Sequence, residues 1–294
     1  MTWVTWRQHR LEGVWVALLG GLLALTIAYV VREVNLGSCS GPGQQICLPD
    51  DVAGQIGQAI VRFNLYTYAL VVFPALAGAF IGAPLVAREV EQGTHRLVWT
   101  QGVTRMRWFV TKVVLVLLPL LAVAGLVGML EVVLLNVESP EVNRWAFFDQ
   151  QAPVTVAATF LAFAFGVAAG AVLGRSIPAM AVTLLAFVIV RIGIAELARP
   201  NYMAPVQYRS SDFSNILGPG TSWWLGGTEF HDAAGHVLSN MTRGSVSEQA
   251  AYFVVLYQPG DRFWTFQSIE SAILGGLSIL VLAFAMYWVV RRVA

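Results

Sequence analysis

Residues 66–87 read YTYALVVFPALAGAFIGAPLVA, twenty-two positions without a charged side chain, and residues 88–112 continue REVEQGTHRLVWTQGVTRMRWFVTK, where charges arrive at once. An apolar stretch of that length suits a helix crossing a hydrocarbon core of about 30 Å. In lipid each backbone polar group must be bonded within its own segment, which a helix achieves. The change at Arg88 marks where such a helix leaves the membrane.

Working outward, the same kind of run recurs at Val14 to Val31, Val113 to Asn136, Pro153 to Gly174, Ile177 to Ala195 and Ile269 to Val290. With Tyr66 to Ala87 these predict an all-α polytopic membrane protein of six transmembrane helices. Composition agrees: 57% of the 294 residues are hydrophobic, 12% are charged, and mean hydropathy is +0.66. Soluble domains average about 45–50% apolar and about 25% charged residues. The first run is longer than the usual signal-peptide core of about 7–15 residues and lacks a small-x-small cleavage site, so it reads as a span.

Net charge is +1, which supplies no global basic field for nucleic acid. The placement of the charges is informative instead. With the N-terminus inside, Arg7, Arg10, Arg88, Arg96, Arg105, Arg107, Lys112, Arg175, Arg291 and Arg292 fall in short inside segments. The much longer outside segments hold Arg32, Arg62, Arg144, Arg199, Arg209, Arg243 and Arg262. Positive charge is retained on the cytoplasmic side, so both termini are expected there, in a bacterial cell membrane. Lys112 is the one lysine beside seventeen arginines, a bias of GC-rich genomes that suggests an actinobacterial source.

Four parts are expected along the chain. Residues 1–13, with Trp3, Val4 and Trp6 beside Arg7, His9 and Arg10, form an interfacial cytoplasmic helix. Residues 14–198 hold spans one to five and a cytoplasmic loop at 88–112. Residues 199–268 make a large extracellular or re-entrant region, and 269–294 hold span six and a cytoplasmic tail. In the large region, Ala250 to Tyr257 is an apolar run too short to span; it fits either a re-entrant or interfacial helix or a cap packed on itself. Cys39 and Cys47 both lie in the first outside loop, where an oxidising exterior favours a structural disulfide. Glu229, His231, Asp232 and His236 cluster, but the histidines are not at the i, i+4 spacing of a helical metal site, so no metal is expected.

The inside loop mixes Glu89 and Glu91 with Arg88 and Arg96, and Gly93-Thr94 reads as a turn before a short amphipathic helix. Trp99, Trp108, Arg105 and Arg107 would sit at headgroup level. On residues alone, a solvated loop and a partner-docking loop are equally compatible. The stretch Pro84-Leu85-Val86-Ala87-Arg88-Glu89-Val90-Glu91-Gln92-Gly93-Thr94, with Gly102-Val103-Thr104-Arg105 and Lys112, resembles the E-x-G-T loop of type-2 ABC exporter permeases. That resemblance implies a six-span subunit that pairs with a second permease subunit and with separate P-loop ATPase chains. It also implies an ATPase-coupling role for Arg88, Glu89, Glu91, Gly93, Thr94 and Arg96. ATP and magnesium would then belong to the partner.

Glu131 and Arg191 fall inside the predicted spans and Glu196 at the outer end of span five, and these three are expected as intramembrane charges. A bare charge at the centre of a helix in the bilayer costs about 2.5–3.5 kcal/mol on insertion scales, so each needs a partner or a wet cavity. Glu131 and Arg191 share the outer leaflet by helical rise, and they are expected to pair, as a clamp or as part of an export route. Gly78 and Gly82, and Gly166, Gly170 and Gly174, repeat every four residues and predict close helix approach. Packing within the subunit is the commoner use; a dimer seam is the other.

No G-x-x-x-x-G-K-[ST], G-x-S-x-G or H-E-x-x-H occurs, so the chain carries no P-loop and no hydrolase signature of its own. Catalysis by this chain alone is not expected. The leading reading is a permease subunit exporting an amphipathic drug, peptide or lipid. The alternatives are an ion- or proton-coupled carrier using Glu131, Arg191 and Glu196, or a membrane sensor or anchor that transports nothing.

Overall fold

The structure, a computed structural model, describes residues 65–94, 102, 104–138, 144–211, 222–225, 227–238 and 250–292. The predicted first span, the N-terminal interfacial helix, Cys39 and Cys47, and Arg96 lie outside these. The described residues form α1 (Leu65–Ala77), which runs through a π turn (Gly78–Gly82) into α2 (Ala83–Glu91), followed by α3 (Arg105–Glu138), α4 (Ala152–Leu173), α5 (Ser176–Gly193) and α6 (Phe263–Arg291). Five segments are long and apolar enough to cross a membrane, and they correspond to predicted spans two to six.

The bundle is arranged around α4, which packs against α1, α2, α3, α5 and α6. Its sequence, APVTVAATFLAFAFGVAAGAVL, has no charge and a small residue at nearly every second position, so neighbours approach from several sides. Leu161, Ala162, Phe163, Ala164 and Val167 are fully enclosed. Thr155 and Thr159 are buried too, and each satisfies its hydroxyl on the main chain: Thr159 Oγ1 donates to Thr155 O at 2.7 Å.

The glycine repeats face one another inside the subunit. A Cβ on Gly166 would stand 2.3 Å from Gly78 O and 2.6 Å from Ala83 N, and one on Gly170 would stand 2.4 Å from Ala83 O. A Cβ on Gly78 would stand 2.4 Å from Ala162 O. Spans two and four therefore meet backbone to backbone, which is the within-subunit use of the repeat. Gly174 does something else. It ends α4 in the left-handed conformation, φ 61°, and donates its N–H to Gly170 O at 3.0 Å. Gly174→Ala is expected to cost about 1–2 kcal/mol, because an L side chain meets the following carbonyl there. Thermal unfolding in detergent checks this.

The all-α expectation fails in the large region. After a short 3-10 turn at Arg199–Asn201, the chain forms an antiparallel sheet of β1 (Val206–Ser210), β2 (Trp223–Trp224), β3 (Glu229–His231) and β4 (Tyr252–Gln258). Strand β4 is central: β1 pairs with it from Val206↔Tyr257 to Ser210↔Phe253, and β2 and β3 pair with its other edge. The apolar run is thus a strand, not a membrane-dipping helix. Its residues are β-branched and aromatic, which favours strand. Burial alternates, with Phe253 and Val255 enclosed and Leu256 exposed, but the apolar residues on both faces conceal that period.

Span six also starts earlier than predicted, at Phe263 instead of Ile269. Gln267 and Ser268 break the apolar run in sequence, and Glu270 falls at the start of the predicted span. In the fold Gln267 and Glu270 are buried and bonded, so the helix continues through them.

Candidate functional site

One end of the bundle gathers the E-x-G-T stretch. Span two ends at Glu91, and Gly93 turns the chain with φ 69°. Lys112 Nζ donates to Glu89 Oε1, joining α2 to α3, with the lysine 3% and the glutamate 15% exposed. The ammonium also lies 5.0 Å from the Trp108 ring centre. Glu91 Oε2 accepts from the amide of Ser176 at 3.2 Å and from its hydroxyl at 3.1 Å, joining α2 to the first residue of α5. Arg105 Nη1 donates to Val290 O at 3.2 Å, at the last turn of α6. Arg88 is exposed, and Thr94 Oγ1 lies 3.5 Å from Glu89 O. Arg107, Arg175, Arg291 and Arg292 are exposed at this same basic end.

Two expectations are corrected here. Residues 105–112 are not loop but the opening turns of α3, begun by Thr104, whose Oγ1 accepts the Arg107 amide at 3.3 Å. Trp108 is accordingly buried in one cluster with Phe109, Val113 and Leu85 and not displayed on a loop. The sequence placed Glu89 and Glu91 in one motif without indicating that they reach different helices.

The opposite end holds a buried ionic cluster. Arg191, for which the sequence suggests Glu131 as partner, donates to Asp149 and Glu270. The Glu131 side chain lies outside the described ones. Arg199 also donates to Asp149, and it reaches Glu270 from Nε and Nη2, each at 2.8 Å. Two guanidiniums and two carboxylates balance, so no net charge is buried, as a low-dielectric site requires. Glu196, the third predicted intramembrane charge, is exposed and belongs to no part of this cluster. Asp149 precedes predicted span four and Glu270 opens span six, and neither carries a sequence signal that points to this cluster.

The backbone explains how Arg191 and Arg199 converge. Eight residues along a regular α-helix are offset by about 80°. The π turn at Ile194–Ala198 absorbs one residue, so the eight act as seven, within about 20° of two full turns. Both guanidiniums then face Glu270 on α6. Tyr202 OH adds a 3.4 Å contact to Glu270, and burial followed by that carboxylate holds its phenol above its ordinary range.

Aromatic packing seals this cluster from the sheet side. Trp145 stacks on Phe148 and on Trp223 at 5.8 and 5.4 Å, and meets Phe263 and Phe266 edge-on. The Arg199 guanidinium lies 4.2 Å from the Phe148 ring centre. Gln258 and Arg262 bind Met203 O and Ala204 O, each at 2.8 Å, fixing β4 to the end of span five.

Of the loop cluster, His231 stacks on Tyr252 at 5.0 Å, and Asp232 closes a turn by accepting the amides of Ala234 and His236 at 2.9 and 2.8 Å. The His236 amide and then its imidazole hold Asp232 below the usual carboxylate range. A depressed carboxylate stabilises the turn above its unfolded value, about 3.9. That contribution is lost as pH falls through the lower folded value. Amide resonances of Ala234 and His236 are expected to titrate below pH about 3.9 and to stay flat in Asp232→Asn.

A model of the family described as ABC-2 membrane transporter related matches residues 13–199, which takes in the E-x-G-T stretch, the glycine ladder and Arg191. No curated protein and no solved structure matches the chain.

Proposed function

Because this chain belongs to the ABC-2 membrane transporter related family, we propose that it is the permease subunit of an ATP-driven exporter whose P-loop ATPase is a separate chain. The basic end faces the bacterial cytoplasm, where the loop after span two meets the ATPase, and the sheet stands outside. ATP and magnesium bind that partner, since this sequence has no P-loop. A second permease subunit, the same or related, completes the translocation path for an amphipathic drug, peptide or lipid. The observation that carries this reading is the linkage of the E-x-G-T stretch, through Glu89 and Glu91, to spans three and five. A loop meant to receive motion has to be tied to what moves.

The carrier alternative draws less support. Arg191 belongs to a neutral ionic cluster without Glu196, so the proposed coupling charges do not form one site. The decisive experiment is affinity purification of the tagged chain from native membranes in mild detergent, with identification of bound proteins and an ATPase assay. A P-loop ATPase is expected with wild type, and Glu91→Arg is expected to lose or uncouple it. Absence of any ATPase under gentle conditions would sink the exporter reading.

A further inference from the structure

Glu91 is exposed, yet its carboxylate is engaged at one place, with both donors of Ser176 at 3.2 and 3.1 Å. Ser176 is the first residue of α5, where unsatisfied amides and the helix dipole favour an anion. The contact crosses 85 positions of sequence. Beside it, Ala83 and Ala87 of α2 pack on Ala179 of α5, all three fully enclosed, so the two helices lie close there. The other end of the loop is bound as well, through Arg105 to Val290 O of α6 at 3.2 Å. Glu91 at the end of span two and Arg105 at the start of span three are therefore tied not only to their own helices but also to spans five and six.

We propose that Glu91 is a positioning residue that transmits displacement of the cytoplasmic end of span two to span five by gripping the N-terminus of span five at Ser176. This rests on the exporter reading, and it assigns the motif's second glutamate an internal mechanical role distinct from contact with the ATPase. Displacement there moves span two and span five as one unit against span three, about the Glu89 to Lys112 tie. The exposed contact contributes little to stability. Removing it cuts the link and leaves the fold.

Ser176→Pro provides that cut. Proline at the first helical position is favoured and removes the N–H, and the hydroxyl goes with it. Arg175 before it already has φ −134° and ψ 130°, the extended backbone a following proline demands. The test uses the chain with its co-purified ATPase in lipid nanodiscs. Nitroxide labels replace Leu118 of α3 and Leu185 of α5, 62% and 63% exposed, in a background with Cys39 and Cys47 changed to serine. Trapping with ATP and vanadate is expected to shift the Leu118 to Leu185 distance in wild type.

In Ser176→Pro the shift is expected to vanish while ATP is still hydrolysed, and Glu91→Ala is expected to abolish it too and to add nothing in the double variant. A wild-type shift surviving in Ser176→Pro, or additive effects of the two changes, would overturn the role of Glu91 and leave the exporter reading standing. So would an ATP-hydrolysing wild-type complex in which the distance never shifts. Failure to recover any ATPase would overturn the exporter reading and this inference together.

Discussion

Glu270→Ala is expected to lower the stability of the bundle by about 3–5 kcal/mol, the usual result of removing one partner from a buried charge pair. Glu270 is fully enclosed and accepts from Arg191, Arg199 and Tyr202. Without it, two guanidiniums share Asp149 alone, which is itself 35% exposed and cannot follow both inward. Asp149→Ala should be milder, since water reaches that side of the cluster. Glu270→Leu combined with Arg199→Met should recover much of the loss, because it removes a whole buried pair and leaves Arg191 with Asp149. Thermal midpoints by fluorescence-detected size exclusion in one detergent would rank the variants. A midpoint for Glu270→Ala equal to wild type would mean that the cluster is hydrated.

The second large effect is expected at Gly166. An added methyl meets three main-chain atoms, Gly78 O, Ala83 N and Gly82 C, at 2.3, 2.6 and 2.8 Å. No side-chain rotation relieves a clash with backbone, so spans two and four must move apart. The cost of Gly166→Ala should reach or exceed the about 1–3 kcal/mol usual for overpacking. Gly276→Ala is the control: nothing lies within 4 Å of its added carbon. There helix propensity should leave stability unchanged or raise it by about 0.5–1 kcal/mol. Equal behaviour of the two would show that the close approach of the helices is not what holds them.

Sequence read this bundle well where one physical requirement dominated. Lipid demands long apolar helices, so predicted spans two to six fall on helices, with ends displaced where polar residues are buried and bonded, as at Gln267 and Glu270. The four-residue glycine spacing announced close packing, and only the fold could pair Gly166 with Gly78. Ser176 could not be read as the partner of Glu91, because nothing local links positions 85 apart. Asp149 and Glu270 could not be read as partners of Arg191 because helical rise gives depth but not azimuth, and the π turn that brings Arg199 to the same site has no sequence signal. Strand β4 escaped because its alternation is one of burial and not of polarity.

The π turn at Gly78–Gly82 makes span two sensitive to length in an unusual way. Ala83 N bonds Gly78 O, five residues back, so the helix accommodates one surplus residue. Deleting a single residue there would remove the surplus, restore a more regular helix and keep the phase of everything beyond, whereas inserting one would swing everything beyond by about 100°. Glu89 would turn away from Lys112, and Glu91 from Ser176. The aim of the motif is thus a matter of phase, set at a point two turns upstream of its own residues, and a one-residue insertion in an apparently featureless apolar run would change where the motif points.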